Sequence, residues 1–184
     1  MGSIGKVRSI SVWIFIIPFI SINACLLIVT NFHQILEPGV PINPTFPYFD
    51  GGVSISRTVR DFPLYLIFKP AMFITSFLLI LYWLNTKKII NHFHKDYSNE
   101  RKIVFFGISS AILLTLHSIF LGIKFDNDLY KLFRRVVMLS FIIFEIIAQA
   151  YLIKFFYEIR HKLNNYINIT YLKTKRILIT FLII

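Results

Sequence analysis

His117 and Glu145 are ionisable side chains set inside long apolar runs of a 184-residue chain. Such groups are costly at membrane depth and mark functional or packing sites. Counted along a helix at about 1.5 Å per residue, both fall roughly 9–14 Å below the same membrane boundary, so antiparallel neighbours could bring them together. Gln149 follows Glu145 by one turn and shares its face. Ser110, Thr115 and Ser140 are placed to extend the network. Two chemistries suit this set. One is a proton-relay or hydrolytic centre with Glu145 as base and His117 as its partner. The other is a buried hydrogen-bonded pair that fixes helix packing.

A second set is cationic: Arg57, Arg60, Lys69, Arg134 and Arg135. Guanidinium groups match phosphate oxygens two at a time, so these residues are candidates for a lipid-headgroup phosphate. Salt bridges to Asp50, Asp61, Asp126 or Asp128 would use the same charges without a ligand. No metal site or cofactor is expected. His92 and His94 are two residues apart, which does not put them on one helix face. Gly51-Gly52 is not followed by the Lys-Ser/Thr pair of a phosphate-binding loop, and there is no Gly-x-Ser-x-Gly elbow. The lone cysteine, Cys25, allows no internal disulfide and reads as a small packing residue.

The elements that must position these residues are apolar and long. The chain is 56% hydrophobic with a mean hydropathy of +0.67, above the roughly 45–50% of a soluble domain. Runs at about 10–30, 64–84, 103–123 and 136–157 are each long enough to cross a bilayer as a helix. A fifth run, 177–184, is too short to cross, and the sequence is expected to be a fragment of a longer chain. The fold expected is an all-α polytopic transmembrane bundle forming one membrane domain over 1–184, with four complete spans and a truncated fifth. Trp13, Tyr82, Trp83, Tyr151 and Tyr157 lie near run ends and are expected in an interfacial belt.

The net charge of +11 would suggest nucleic acid in a soluble protein. Here the bases flank apolar runs, which argues against nucleic acid and for topology signals and anionic-lipid contacts. Lys6, Arg8 and the bases of 85–102 and 154–176 outnumber those of 57–69 and 124–135. The amino terminus is therefore expected to be cytoplasmic, with the plasma membrane as the location. Segments 85–102 and 164–170 read as polar connections.

The longest connection, 31–63, carries five prolines, an Asp50-Gly51-Gly52 turn signal and several apolar groups, and is expected to form an ordered outer cap. Within it, Asn43-Pro44-Thr45-Phe46-Pro47-Tyr48-Phe49-Asp50-Gly51-Gly52 resembles the proline–tyrosine–acid–glycine signature of the DRAM-like membrane proteins. That family includes the damage-regulated autophagy modulators, the suppressor-of-four-kinase protein and the factor for lipid remodelling of GPI anchors. The continuation through Pro63, Tyr65, Phe68 and Lys69 to Tyr82-Trp83 is similar to the GPI-remodelling branch. The resemblance covers most of the chain in layout and about 40 residues in motif, with Asn43, Pro44, Pro47, Tyr48, Asp50 and Gly51 as the motif residues. Many members carry a polar pair near the start of the fourth span, where this chain reads Arg134-Arg135-Val136-Val137. Members usually have about six spans.

The resemblance implies lipid organisation or lipid-linked signalling and no defined reaction. The expected partners are membrane lipids, anionic ones among them, and further protein copies or partners within the membrane. The leading expectation is phospholipid or glycolipid headgroup recognition at the outer face, without enzymatic turnover. The alternatives are an intramembrane lipid-modifying enzyme centred on Glu145 and His117, and a small-solute transporter.

Overall fold

The computed structural model describes residues 2–31, 59, 62–95, 97–123, 127–163 and 169–183. The described residues are helical apart from short turns. Four long helices dominate: α1 (Gly2–Asn31), α2 (Tyr65–Phe93), α3 (Glu100–Phe120) and α4 (Asp128–Glu158). A single-turn α5 (Arg160–Leu163) and a shorter α6 (Ile169–Ile183) follow. Each of the four long helices is apolar and long enough to cross a membrane. The Pro/Gly-rich motif residues Asn43, Pro44, Pro47, Tyr48, Asp50 and Gly51, and the cations Arg57 and Arg60, lie outside the described residues.

The helices run up and down, each packed on the next, and α6 folds back on α4. Two apolar clusters record this alternation. Near the amino-terminal face, Val7, Ile10 and Ile14 of α1 meet Trp83 and Ile90 of α2, Ile103 of α3, and Leu152 and Phe155 of α4. At the opposite face, called here the loop face, Cys25 of α1 meets Leu64, Phe68 and Met72 at the start of α2 and Leu114 and Leu121 at the end of α3. Val59 is buried in this second cluster.

The distribution of residue types is inverted relative to a soluble protein. Large apolar side chains point outward, with Phe15, Phe77 and Phe105 all at least 60% exposed, while Ser76, Ser110 and Ser118 are at most 2% exposed. A water-facing surface of this kind would aggregate, whereas in hydrocarbon it costs nothing to leave apolar groups outside. Helices in lipid gain instead from close backbone approach and interhelical hydrogen bonds. The buried face of α3 shows both, with Gly107, Ser110, Ala111, Leu114 and Ser118 in one stripe. Ser76 Oγ donates to the Ala111 carbonyl at 2.6 Å and lies 2.6 Å from Thr115 Oγ1, joining α2 to α3. Between α1 and α2, Ser21 Oγ reaches the Ile67 carbonyl at 3.4 Å and Cys25 Sγ the Leu64 carbonyl at 3.7 Å.

Helix ends differ from the apolar runs. The 85–102 segment, expected as a polar connection, is helical to Phe93 and again from Glu100. The helical ladder does not stop at the edge of the hydrocarbon, and Ile89 and Ile90 of the extension are buried. Lys87 pairs with Glu100 across the connection at 3.6 Å. At the loop face, α3 ends at Phe120, before the expected Ile123, because Leu121 is extended and Gly122 takes a positive φ of 85°, a conformation open to a residue without Cβ. α4 starts at Asp128, eight residues before the expected Val136, with the Asn127 side chain accepting from the Leu129 N–H at 3.0 Å as an N-cap.

Trp83 and Tyr82 correct the expected aromatic belt: both are core residues, at 0% and 8% exposure. The Trp83 indole lies flat against Gly107, where a Cβ would overlap its ring. Gly107→Ala should therefore destabilise the bundle by roughly 1–3 kcal/mol, the usual cost of overpacking. Thermal unfolding in detergent measures it. Gly107→Ala combined with Trp83→Leu should recover part of the loss, and strictly additive costs would disprove the close packing.

Candidate functional site

Glu145 is the only acidic residue in the four apolar runs. It faces the seam between α2, α3 and α4. Ser110 Oγ donates to its Oε2 at 2.7 Å, Trp83 Nε1 to the same oxygen at 3.3 Å, and Gln149 Nε2 to Oε1 at 2.8 Å. A carboxyl group has room for several donors, and here both of its oxygens are used. The Ser110 hydroxyl has two acceptors in reach, Glu145 Oε2 at 2.7 Å and the Gly107 carbonyl at 2.8 Å.

The spacing explains how three helices supply the donors. Gln149 is one turn after Glu145 on α4, so the pair is built into that helix. Ser110 sits one turn after Gly107, and the missing side chain at Gly107 admits the Trp83 ring beside it. The indole is thereby pressed into the seam with its N–H toward Glu145. The polar surroundings extend further. Tyr82, itself buried, lies beside the Gln149 and Thr86 side chains.

Of the residues singled out in the sequence, Glu145, Gln149 and Ser110 come together. Thr115 is used elsewhere, on Ser76. His117 is two turns along α3 from Ser110, about 10 Å nearer the loop face. The carboxylate's hydrogen bonds thus go to Ser110, Trp83 and Gln149 at a level different from that of the imidazole. Trp83 is the participant that sequence reasoning missed. Its place near a run end suggested a lipid interface, and only the buried Gly107 opposite it gives a hint to the contrary.

The cationic set divides as well. Lys69 Nζ reaches the Ile119 carbonyl at 3.4 Å and stands 5.6 Å from the Tyr65 ring centroid. Tyr130 Oη donates to the Phe120 carbonyl at 2.7 Å, and the Arg134 guanidinium lies 5.8 Å from the Tyr130 ring centroid. Lys69 and Tyr130 thus bond two of the last carbonyls of α3, the partly negative helix end, and Arg134 stands beside Tyr130. Arg135 is exposed. Among the described residues, Lys69, Arg134 and Arg135 form no ion pair, and the acid nearest in sequence, Asp128, is paired with Lys131 at 3.0 Å.

The chain matches no family model, no curated protein and no solved structure. The four apolar helices make it compatible with an integral, multi-pass membrane protein.

Replacing Glu145 separates a hydrogen-bonded pin from a bystander. Glu145→Ala strands three donors, whereas Glu145→Gln keeps one acceptor oxygen. The alanine variant should lose about 1–3 kcal/mol more than the glutamine variant in detergent unfolding. Equal stability of the two would show that the donors find other partners.

Proposed function

We propose that this chain is a membrane protein of lipid organisation that recognises phospholipid or glycolipid headgroups at its loop face. The observation that supports the reading is Lys69 on the Ile119 carbonyl at the carboxyl end of α3, with Arg134 beside the Tyr130 ring and neither cation in an ion pair among the described residues. Cations that hold a helix end keep further donors for an anion. Arg57 and Arg60 flank Val59, which is anchored in the loop-face cluster, and in this proposal both arginines join the headgroup site. The likeness of the 43–52 motif to the DRAM-like family belongs to the same proposal, as does an orientation with the amino terminus in the cytoplasm and the plasma membrane as location.

The geometry at Glu145 favours a packing role over turnover. Its oxygens are occupied by three donors, and His117 stands at another level of the bundle. A reaction centred on that pair would need both side chains to approach one substrate atom.

Native mass spectrometry of the gently solubilised full chain tests the proposal, with Arg57→Ala/Arg60→Ala and Glu145→Gln beside the wild type. A co-purifying lipid should be lost in the double arginine variant and retained in Glu145→Gln. Retention indifferent to the arginines would remove the loop-face site.

A further inference from the structure

α6 does not pack flush along α4. A groove of 310 Å³ remains between them, lined by Lys154, Tyr157 and Arg176 at one end and by Ala150, Ile153, Ile179 and Thr180 at the other. This volume is at the small end of the ~300–1,000 Å³ typical of ligand sites, enough for part of a lipid and not for a whole one. The groove is far from the loop face, because α4 ends and α6 begins at the amino-terminal face.

Its polarity is ordered along the membrane normal. On α4, Ala150 and Ile153 come before Lys154 and Tyr157, so they lie deeper. On α6, which runs the other way, Arg176 precedes Ile179 and is nearer the surface. Both helices thus place their cations at the mouth and mostly apolar side chains inside, where the Thr180 hydroxyl is turned back to the Arg176 carbonyl at 2.9 Å. Arg176 is held in position by the Tyr157 ring, its guanidinium 5.1 Å from the ring centroid, an arrangement that leaves its N–H fork available. Lys154 and Arg176 are both exposed and form no ion pair among the described residues. Lys173 and Arg160, also exposed, add positive charge toward the surface, and Glu158 lies outside the lining.

We infer that the α4–α6 groove is a binding site for one anionic phospholipid of the leaflet at the amino-terminal face, its phosphate between Lys154 and Arg176 and an acyl chain along Ile153 and Ile179. The charge of the mouth selects an anionic headgroup, as basic pockets between membrane helices do. The deep apolar end selects a lipid over free phosphate, which has nothing to place there. The site is separate from the loop-face site, and its residues are not those tested there.

The experiment uses the full chain in phosphatidylcholine vesicles containing a phosphatidylglycerol with a photoactivatable acyl chain. Cross-links should map to peptides covering 150–157 and 176–180 of the wild type, and excess unlabelled phosphatidylglycerol should suppress them while inorganic phosphate should not. Lys154→Ala/Arg176→Ala should weaken labelling by roughly tenfold or more, and Ala150→Phe, which fills the deep end, should reduce it without changing the charge. Arg57→Ala/Arg60→Ala should leave it unchanged, which keeps the two lipid sites distinguishable. Labelling of the wild type spread over all helices, equal competition by unlabelled phosphatidylcholine, or insensitivity to both groove variants would overturn the assignment. Because the mapping is read on the unmodified chain, a variant that failed to fold would not protect the proposal.

Discussion

A carboxylate placed between helices at membrane depth has to be satisfied by the protein, because hydrocarbon offers no donors. Glu145 obtains them from its own helix through Gln149, from α3 through Ser110 and from α2 through Trp83. Much of the central packing follows from that requirement. The indole can reach the carboxylate only by lying on Gly107, and Gly107 is tolerable in a helix because the close approach it permits replaces the side-chain contacts it lacks. One polar group thus sets the spacing and rotation of three helices about their common seam.

Away from this centre, the bundle is held by the same economy of small residues and hydroxyls. Ser76 with Ala111 and Thr115 repeats, one layer toward the loop face, the joining of α2 to α3. Ser21 and Cys25 do so more weakly for α1 and α2. Hydroxyl donors within a helix can return to their own backbone carbonyls when no partner faces them, as Ser118 and Thr75 do here. Such residues therefore cost little in a membrane helix whichever way it is turned. This explains why many polar residues of the runs mark contact faces without marking chemistry.

The two ends of the bundle present cations in different settings. At the loop face Lys69 reaches a carbonyl at the end of α3, and Arg134 lies beside the Tyr130 ring. At the amino-terminal face the bases line a cleft left open between α4 and α6. Positive charge at both ends of an apolar helical bundle is the pattern of bases that flank membrane-spanning helices.

The four spans and their order were legible in the residues alone, because a stretch of about 20 apolar side chains has one inexpensive home. The Glu145–Gln149 pair was legible too, since helical periodicity places it on one face without reference to any other element. Other features depended on how helices pair and rotate. Depth alone suggested His117 as the partner of Glu145, whereas the α3 side chain that bonds the carboxyl group is Ser110, on the same face two turns away. Trp83 looked interfacial by position and became a core donor because Gly107 lies across from it. The helical extension to Phe93 was hidden by its lysines and asparagines, whose polarity says nothing about backbone hydrogen bonding within a helix. The α4–α6 groove exists only because α6 folds back on α4, and a linear pattern of hydropathy carries no information about which helix a short terminal segment will choose.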